Sequence, residues 1–317
     1  MSTVTLLGPQ FREPNLRDAL ETLRLSGPFV CISAGWQERE GEIDELCSHV
    51  GAEVQDLGLY AITEEIFAAD RELRLAHRQR QSRLQEMQEL YALQLSHAKN
   101  AARELFARNQ GDPQVLRAAR RQAVAALRRL DRKHLAAITR VHEEFAARLK
   151  PDTRPALSQA VDSLRARIAA AQALFITGGH VAVLANRLRL LGGATLLAGK
   201  PLVAWSAGAM VLGTAIVLFH DQPPQGAANA ELFDAGLGLV QGVVMLPHAQ
   251  TRLRLHDAAR VALMARRFAP AACLTMDPGA SLHFIDGRLR YHSGSFQLSR
   301  QGTLSEIATR STMLETR

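Results

Sequence analysis

Residues Pro201–Phe219 read PLVAWSAGAMVLGTAIVLF, an uncharged run bounded by Lys200 and the pair His220-Asp221. By length such a run just spans a bilayer. Yet it holds Ser206, Gly208, Gly213 and Thr214, and it lies inside a repeating strand–helix pattern. A central strand followed by a buried helix has the same hydropathy as a membrane span. We therefore read Leu202–Trp205 as a strand, Ser206 as a sharp turn, and Ala207 onward as a buried helix running to His220-Asp221. No membrane span is expected.

The flanking sequence continues the pattern. Upstream, Ala173–Thr177 is a strand candidate ending at Gly178-Gly179, and Val181–Leu191 is a helix ended by Gly192-Gly193. Downstream, Val243–Leu246 and Ala272–Met276 read as strands, and Ser281–Phe284 and Arg288–His292 as a hairpin around Asp286-Gly287. Nearer the start, Phe29–Ile32 is an apolar run followed by Ser33-Ala34-Gly35. A helix over Glu40–His49 and a strand over Glu53–Leu59 come next. Strand and helix alternating in this way build a parallel α/β sheet.

Between the two α/β stretches the character changes. From Thr63 to Lys150 there is one glycine, Gly111, and one proline, Pro113. Leu84, Met87, Tyr91, Ala98, Ala101 and Leu105 fall at heptad-like positions, and so do Leu116, Ala123, Leu127, Leu130, Ala137, Val141 and Phe145. Asp112-Pro113 supplies an N-cap and a first helical residue for the second series. The pattern predicts two antiparallel coiled-coil helices, each roughly 55 Å long at about 1.5 Å per residue. The expected organisation is one α/β hydrolytic domain from 1–62 and 151–317, interrupted by an inserted basic helical hairpin at 63–150. Over 71–150 there are 18 Lys+Arg against 8 Asp+Glu, a net +10, so the rest of the +7 chain carries −3. A basic helical face is compatible with nucleic acid. It lacks interleaved aromatics for base stacking, so self-association or contact with a protein partner is the favoured expectation, with nucleic acid second.

Strand, Trp205-Ser206-Ala207-Gly208-Ala209 and apolar helix have the layout of a nucleophile elbow, in which small neighbours let strand and helix approach closely. Phe219-His220-Asp221-Gln222-Pro223 places a carboxylate beyond the elbow helix, and Met245-Leu246-Pro247-His248 ends a strand on a histidine. All three would lie at the carboxyl edge of the sheet, where α/β enzymes build sites. Asp234 is a second carboxylate between Ser206 and His248, and spacing alone leaves Asp221 and Asp234 both open as the acid.

These motifs resemble the family of serine peptidases that includes aspartyl dipeptidase (peptidase E) and cyanophycinase. The shared features are Ala204-Trp-Ser-Ala-Gly-Ala209, His220-Asp221-Gln-Pro223 and Leu246-Pro-His248, with Phe175-Ile-Thr-Gly-Gly179 and Asp277-Pro-Gly279 as further counterparts. The resemblance covers the α/β stretches and omits the hairpin. It implies a parallel-sheet sandwich of class I glutamine amidotransferase-like type, with the long antiparallel hairpin as an insertion. It implies hydrolysis of a small or Asp-containing peptide through an acyl-enzyme, with Ser206 as nucleophile, His248 as base and then acid, and Asp221 as its partner. The oxyanion hole would be the backbone N–H groups of Gly179 and Ala207. His180 stands where the family has Asn, and Pro278 where it has Glu. His180, Arg252, Arg254 and Arg260 are the candidate substrate contacts. Those departures also motivate the alternative of a catalytically silent member acting as a binding or oligomerisation scaffold through the hairpin.

No cofactor or metal is implied. Cys31, Cys47 and Cys273 have no paired spacing and read as small buried hydrophobes in a reducing cytoplasm. Glu86 and Glu89 lack a histidine on the same turn. Arg266-Arg267 and His256-Asp257 read as solvated. The N-terminus has no basic region followed by a long apolar run, so a cytoplasmic protein without signal peptide is expected.

Overall fold

The structure is a computed structural model that describes residues 2–220 and 230–307. In chain order the elements begin with β1 (Thr3–Leu7), α1 (Leu16–Thr22), β2 (Phe29–Ile32), α2 (Asp44–Val50), β3 (Val54–Asp56) and α3 (Leu59–Ala69). The long helices α4 (Arg71–Ala107) and α5 (Pro113–Leu149) follow, then α6 (Pro155–Ala170), β4 (Ala173–Ile176), α7 (Val181–Leu190) and α8 (Gly193–Leu196). The last part comprises β5 (Leu202–Trp205), α9 (Ala207–Leu212), β6 (Ala215–Leu218), β7 (Glu231–Ala235), β8 (Val243–Pro247) and α10 (Ala249–Arg252). It closes with α11 (Ala258–Phe268), β9 (Ala272–Met276), β10 (Ser281–Ile285), β11 (Arg288–Ser293) and the short β12 (Gln297–Leu298) and β13 (Leu304–Ser305).

Seven strands form the main sheet in the order β11-β10-β1-β5-β4-β2-β3. The five from β1 to β3 run parallel, and β10 and β11 add antiparallel at one edge. Strands β2, β4 and β5 are buried along their whole length. That is why they read as unbroken apolar runs: a parallel strand covered on both faces has no polar side to alternate with. The sheet separates two cores. One includes Leu7, Phe29, Phe175 and Trp205, with Trp36 and Leu46 packed on it. The other, larger one includes Leu6, Ile176, Met210, Phe219 and Leu246. This α/β sandwich with a long helical pair is the architecture the sequence patterns imply.

Three local readings change. Strand β1 pairs with both β5 and β10, so Thr3–Leu7 is a strand at the centre of the sheet that the sequence reading passes over. The helix after Ser206 is only six residues long and stops at Gly213, whose backbone is extended. Strand β6 follows, so the opening run is strand, helix and strand. Gly213 and the exposed Thr214 mark the change, with buried apolar residues on both sides of them. No helix among the described residues is long and apolar enough to cross a membrane.

The third change concerns the helical pair. Asp112 caps α5 as expected, its carboxylate accepting from the N–H groups of Gln114 and Val115. The buried seam of α5, however, is Val124, Leu127, Asp131, His134, Ile138, Val141 and Phe145. Leu127, Val141 and Phe145 keep their expected places, while Val124 and Ile138 replace Ala123 and Ala137. Asp131 and His134 are polar residues that an apolar heptad excludes. The pair does not pack on itself alone: α5 lies against β7, and both helices contact α11. Arg267, expected to be solvated, is buried at that junction. It forms a bidentate pair with Asp131 (Nε–Oδ2 2.7 Å, Nη2–Oδ1 2.7 Å) and donates to Tyr91 Oη at 2.8 Å and to the Ala230 carbonyl at 2.6 Å. Asp257 likewise has a structural task, capping α11 through the Arg260 N–H.

Three histidines in this region are held neutral. Desolvation, then Arg80, lowers His77 to about 3. Desolvation lowers His134 to about 4 and also lowers His142. A histidine whose folded pKa is depressed takes up its proton in the unfolded chain first, so stability falls with acidification below about pH 6.5. We expect the urea midpoint to decline from pH 7 to pH 4. A midpoint that is flat or rising over that interval would contradict this assignment.

Candidate active site

The carboxyl ends of β2, β4 and β5 bring three turns together, and His248 comes to them from β8, which belongs to the separate sheet β13-β12-β9-β8. After β5, Ser206 adopts φ 52° and ψ −119°, a left-handed conformation that a non-glycine residue holds only where its surroundings enforce it. The enforcement is visible in the neighbours. A Cβ on Gly208 would lie 2.2 Å from the Ile176 carbonyl oxygen and 2.7 Å from that of Thr177, so only glycine lets α9 rest on the end of β4. A Cβ on Gly178 would lie 3.1 Å from Ser206 Cβ, which sets the Gly178-Gly179 turn directly against the serine. As the first residue of α9, Ala207 has no carbonyl one turn back, and its N–H is one of the orphan donors of a helix start.

Gly179, at φ 102°, is pinned by the loop after β2. A Cβ there would lie 2.3 Å from Gly35 O and 2.9 Å from Trp36 Cδ1, and the His180 N–H donates to Gly35 O at 2.7 Å. The loop is fixed in turn by Asp56, which accepts from Ser33 Oγ at 2.6 Å and from the Gly58 N–H at 2.7 Å. Sequence reading marks Ser33-Ala34-Gly35 as a turn but assigns none of Gly35, Trp36, Ser33 or Asp56 to the site. The available signal was Ser33-Ala34-Gly35, a small-residue turn at a strand end like that at Gly178-Gly179. Cys31 Sγ also donates to Asp56, and burial followed by that carboxylate pushes its thiol up, which leaves it unreactive.

His248 sits in the left-handed region (φ 57°, ψ 38°) between β8 and α10. Its N–H donates to Met276 O on β9 at 3.0 Å. The Asp277 carboxylate accepts from the Gln250 N–H at 2.9 Å and steadies the turn that follows. Desolvation, then the Arg252 charge, lowers the His248 pKa, so the imidazole is neutral and able to accept a proton. Desolvation also lowers Arg252, whose guanidinium has no carboxylate partner among the described residues.

Ser206, His248, Gly178, Gly179, His180, Ala207 and Arg252 all line one cavity of about 1050 Å³. Its volume lies at the upper end of ordinary ligand sites. Ser206 and His248 share this cavity without a hydrogen bond between Ser206 Oγ and the imidazole. His180 caps α7, its Nδ1 accepting from the Val183 N–H at 3.4 Å. Asp221 lies outside the described residues. Asp234 is occupied elsewhere: it accepts from His142 Nε2 at 3.0 Å and pairs with Arg189 at 2.8 Å, facing a different cavity beside Gln81 and Asn186. Arg260 lies at the α4–α11 contact with Asn100 and Arg103, and Arg254 is not among the residues lining the Ser206 cavity. Of the four candidate substrate contacts, His180 and Arg252 line the cavity that Ser206 also lines.

Comparison with known proteins adds the following. The model of peptidase family S51 matches residues 125–291, which include the turns at Gly178-Gly179, Ser206 and His248 but not the loop after β2. Among solved structures, the crystal structure of a peptidase from an acI-B1 Actinobacterium is similar at 12% identity. The alignment covers 98% of this chain and 96% of that chain, with a TM-score of 0.46. No curated protein matches the chain.

Proposed function

The chain belongs to peptidase family S51, and from that premise we propose that it is a serine-type peptidase acting through Ser206, His248 and Asp221. The observation that carries the reading is Ser206 itself. Ser206 is held at φ 52° on a strand-to-helix turn, with Gly178 of the adjacent turn and Gly208 of its own helix making room, and it shares its cavity with a neutral histidine; that is how an elbow presents a serine hydroxyl for attack.

In this reading His248 removes the Ser206 hydroxyl proton as Oγ attacks the scissile carbonyl carbon. The resulting oxyanion is received by the N–H groups of Gly179 and Ala207. The C–N bond then breaks, and the amine leaves with the proton that His248 returns. Water, deprotonated by the same imidazole, attacks the acyl-enzyme. The acid product departs and the serine regains its proton. Asp221 would orient the imidazole and stabilise its charged form. Arg252 and His180 are the substrate contacts, Arg252 receiving a carboxylate such as that of an aspartyl residue. The reaction needs no cofactor.

The charge state of His248 gives a test. The base works only when neutral, and desolvation holds its pKa below the ordinary 6.5. The acidic limb of kcat/KM is therefore expected to have its midpoint below pH 6.5, measured with an aspartyl dipeptide that the enzyme hydrolyses. A midpoint above 6.5 would show that a carboxylate partner such as Asp221, rather than desolvation and Arg252, sets the His248 pKa.

A further inference from the structure

We propose that the Ser206 cavity selects short peptides carrying a bulky apolar side chain, aromatic by preference, on one side of the scissile bond and a carboxylate on the other. The inference rests on the serine-peptidase reading and specifies its substrate class. It starts from where the cavity walls come from. Both tryptophans of the chain, Trp36 and Trp205, line it, together with Phe11, Phe219 and Phe233. Trp36, Leu46 and Trp205 belong to the core on one face of the sheet, whereas Phe219 and Phe233 belong to the core on the other. Ser206 lies at the sheet end between them. The cavity therefore crosses the edge of the sheet and offers a different surface on each side of the nucleophile.

The charges of those surfaces are opposite. On the Trp36 side the formally charged lining residues are Glu42, which is paired with the exposed Arg39 at 2.6 Å, and Glu45, which repels a carboxylate; His49 is the further titratable group there. On the Phe219 side the charge is Arg252, close enough to lower the pKa values of both His220 and His248. Arg252 is the one Lys or Arg lining the cavity among the described residues. An acidic group is thus directed to Arg252, and the opposite side is left to an apolar one.

The apolar side is built for contact. Trp36 packs so closely on Gly179 that a Cβ there would meet the indole at 2.9 Å, placing an aromatic wall beside the proposed oxyanion donor. The next residue, Gln37, is held at φ 60°, a strained value that fixes the indole's loop. Phe11 is 87% exposed at the same cavity, an aromatic ring in water that a bound side chain would cover.

The test is a dipeptide panel read as kcat/KM ratios: Asp-Phe against Asp-Ala, and Phe-Asp against Ala-Asp. In Asp-Phe the aspartyl side chain carries the carboxylate across the scissile bond from the ring, so Asn-Phe is expected to lose the Arg252 contact and Asp-Phe-amide to keep it; the reverse overturns the inference. The aromatic member of whichever pair is cleaved is expected to exceed its alanine counterpart by at least about tenfold. The ratio should fall towards one in Trp36→Ala and in Phe11→Ala, the latter too exposed to perturb folding. A wild-type ratio near one, or a ratio unchanged in both variants, overturns the inference. So does a panel left uncleaved while a serine-directed fluorophosphonate still labels Ser206, and that outcome leaves the peptidase reading standing. An uncleaved panel with Ser206 unlabelled removes both.

Discussion

Replacing Ser206 by alanine is expected to lower kcat on any hydrolysed peptide by about 10⁴-fold or more, the scale on which a lone nucleophile acts within a triad. The residual rate would come from the oxyanion donors and substrate binding, which the substitution leaves in place. The side chain lost is one hydroxyl, so the packing around residue 206 changes little. Ser206→Gly separates chemistry from fold. At φ 52° and ψ −119° glycine is relieved of the strain a Cβ imposes there, so this variant should be at least as stable as the wild type while equally inactive. Parallel thermal melts and kinetics of the three proteins check this. A Ser206→Ala protein that folds and retains a tenth of the activity would exclude the serine as nucleophile.

The second large effect concerns the helical pair. Asp131→Ala leaves the Arg267 guanidinium buried without its carboxylate, and breaking a buried ion pair from one side costs about 3–5 kcal/mol. The network extends beyond the pair. Tyr91 Oη donates to Asp131 Oδ1 at 2.7 Å and accepts from the Leu232 N–H at 3.2 Å, and Arg267 holds the Ala230 carbonyl. Residues from α4, α5, α11 and the start of β7 thus meet on one guanidinium. Denaturation of Asp131→Ala should show that loss. The double variant Asp131→Leu/Arg267→Met, which removes both charges, should recover most of it. A single variant within about 0.5 kcal/mol of wild type, the size of an ordinary surface substitution, would contradict the burial of this pair.

That network also marks the limit of what the sequence makes legible. Parallel strands such as Ala173–Ile176 and Leu202–Trp205 announce themselves because burial on both faces leaves them wholly apolar. The long helices are equally plain, since a stretch with one glycine and one proline has little else to become. The seam between them is not. Asp131 and His134 look like surface residues, and what neutralises Asp131 is Arg267, 136 residues further on. A partner at that distance leaves no local pattern. The same holds for the candidate site. Ser206 and its small neighbours are readable because one turn must satisfy several steric demands at once. Trp36 and Asp56 escape notice because their relation to Gly179 runs through a turn at the end of a different strand. Asp234 shows the converse: spacing alone admits it as an acid, yet its carboxylate is committed to His142 and Arg189.

The central claim is that Ser206 is an activated nucleophile, and covalent labelling tests it most directly. Wild-type protein and Ser206→Ala are treated with a fluorophosphonate probe, and the adduct is located by peptide mass spectrometry. The account predicts one adduct, on the peptide containing Trp205-Ser206-Ala207, formed in the wild type and absent from the variant. Equal labelling of both proteins, or an adduct on another residue, would contradict it.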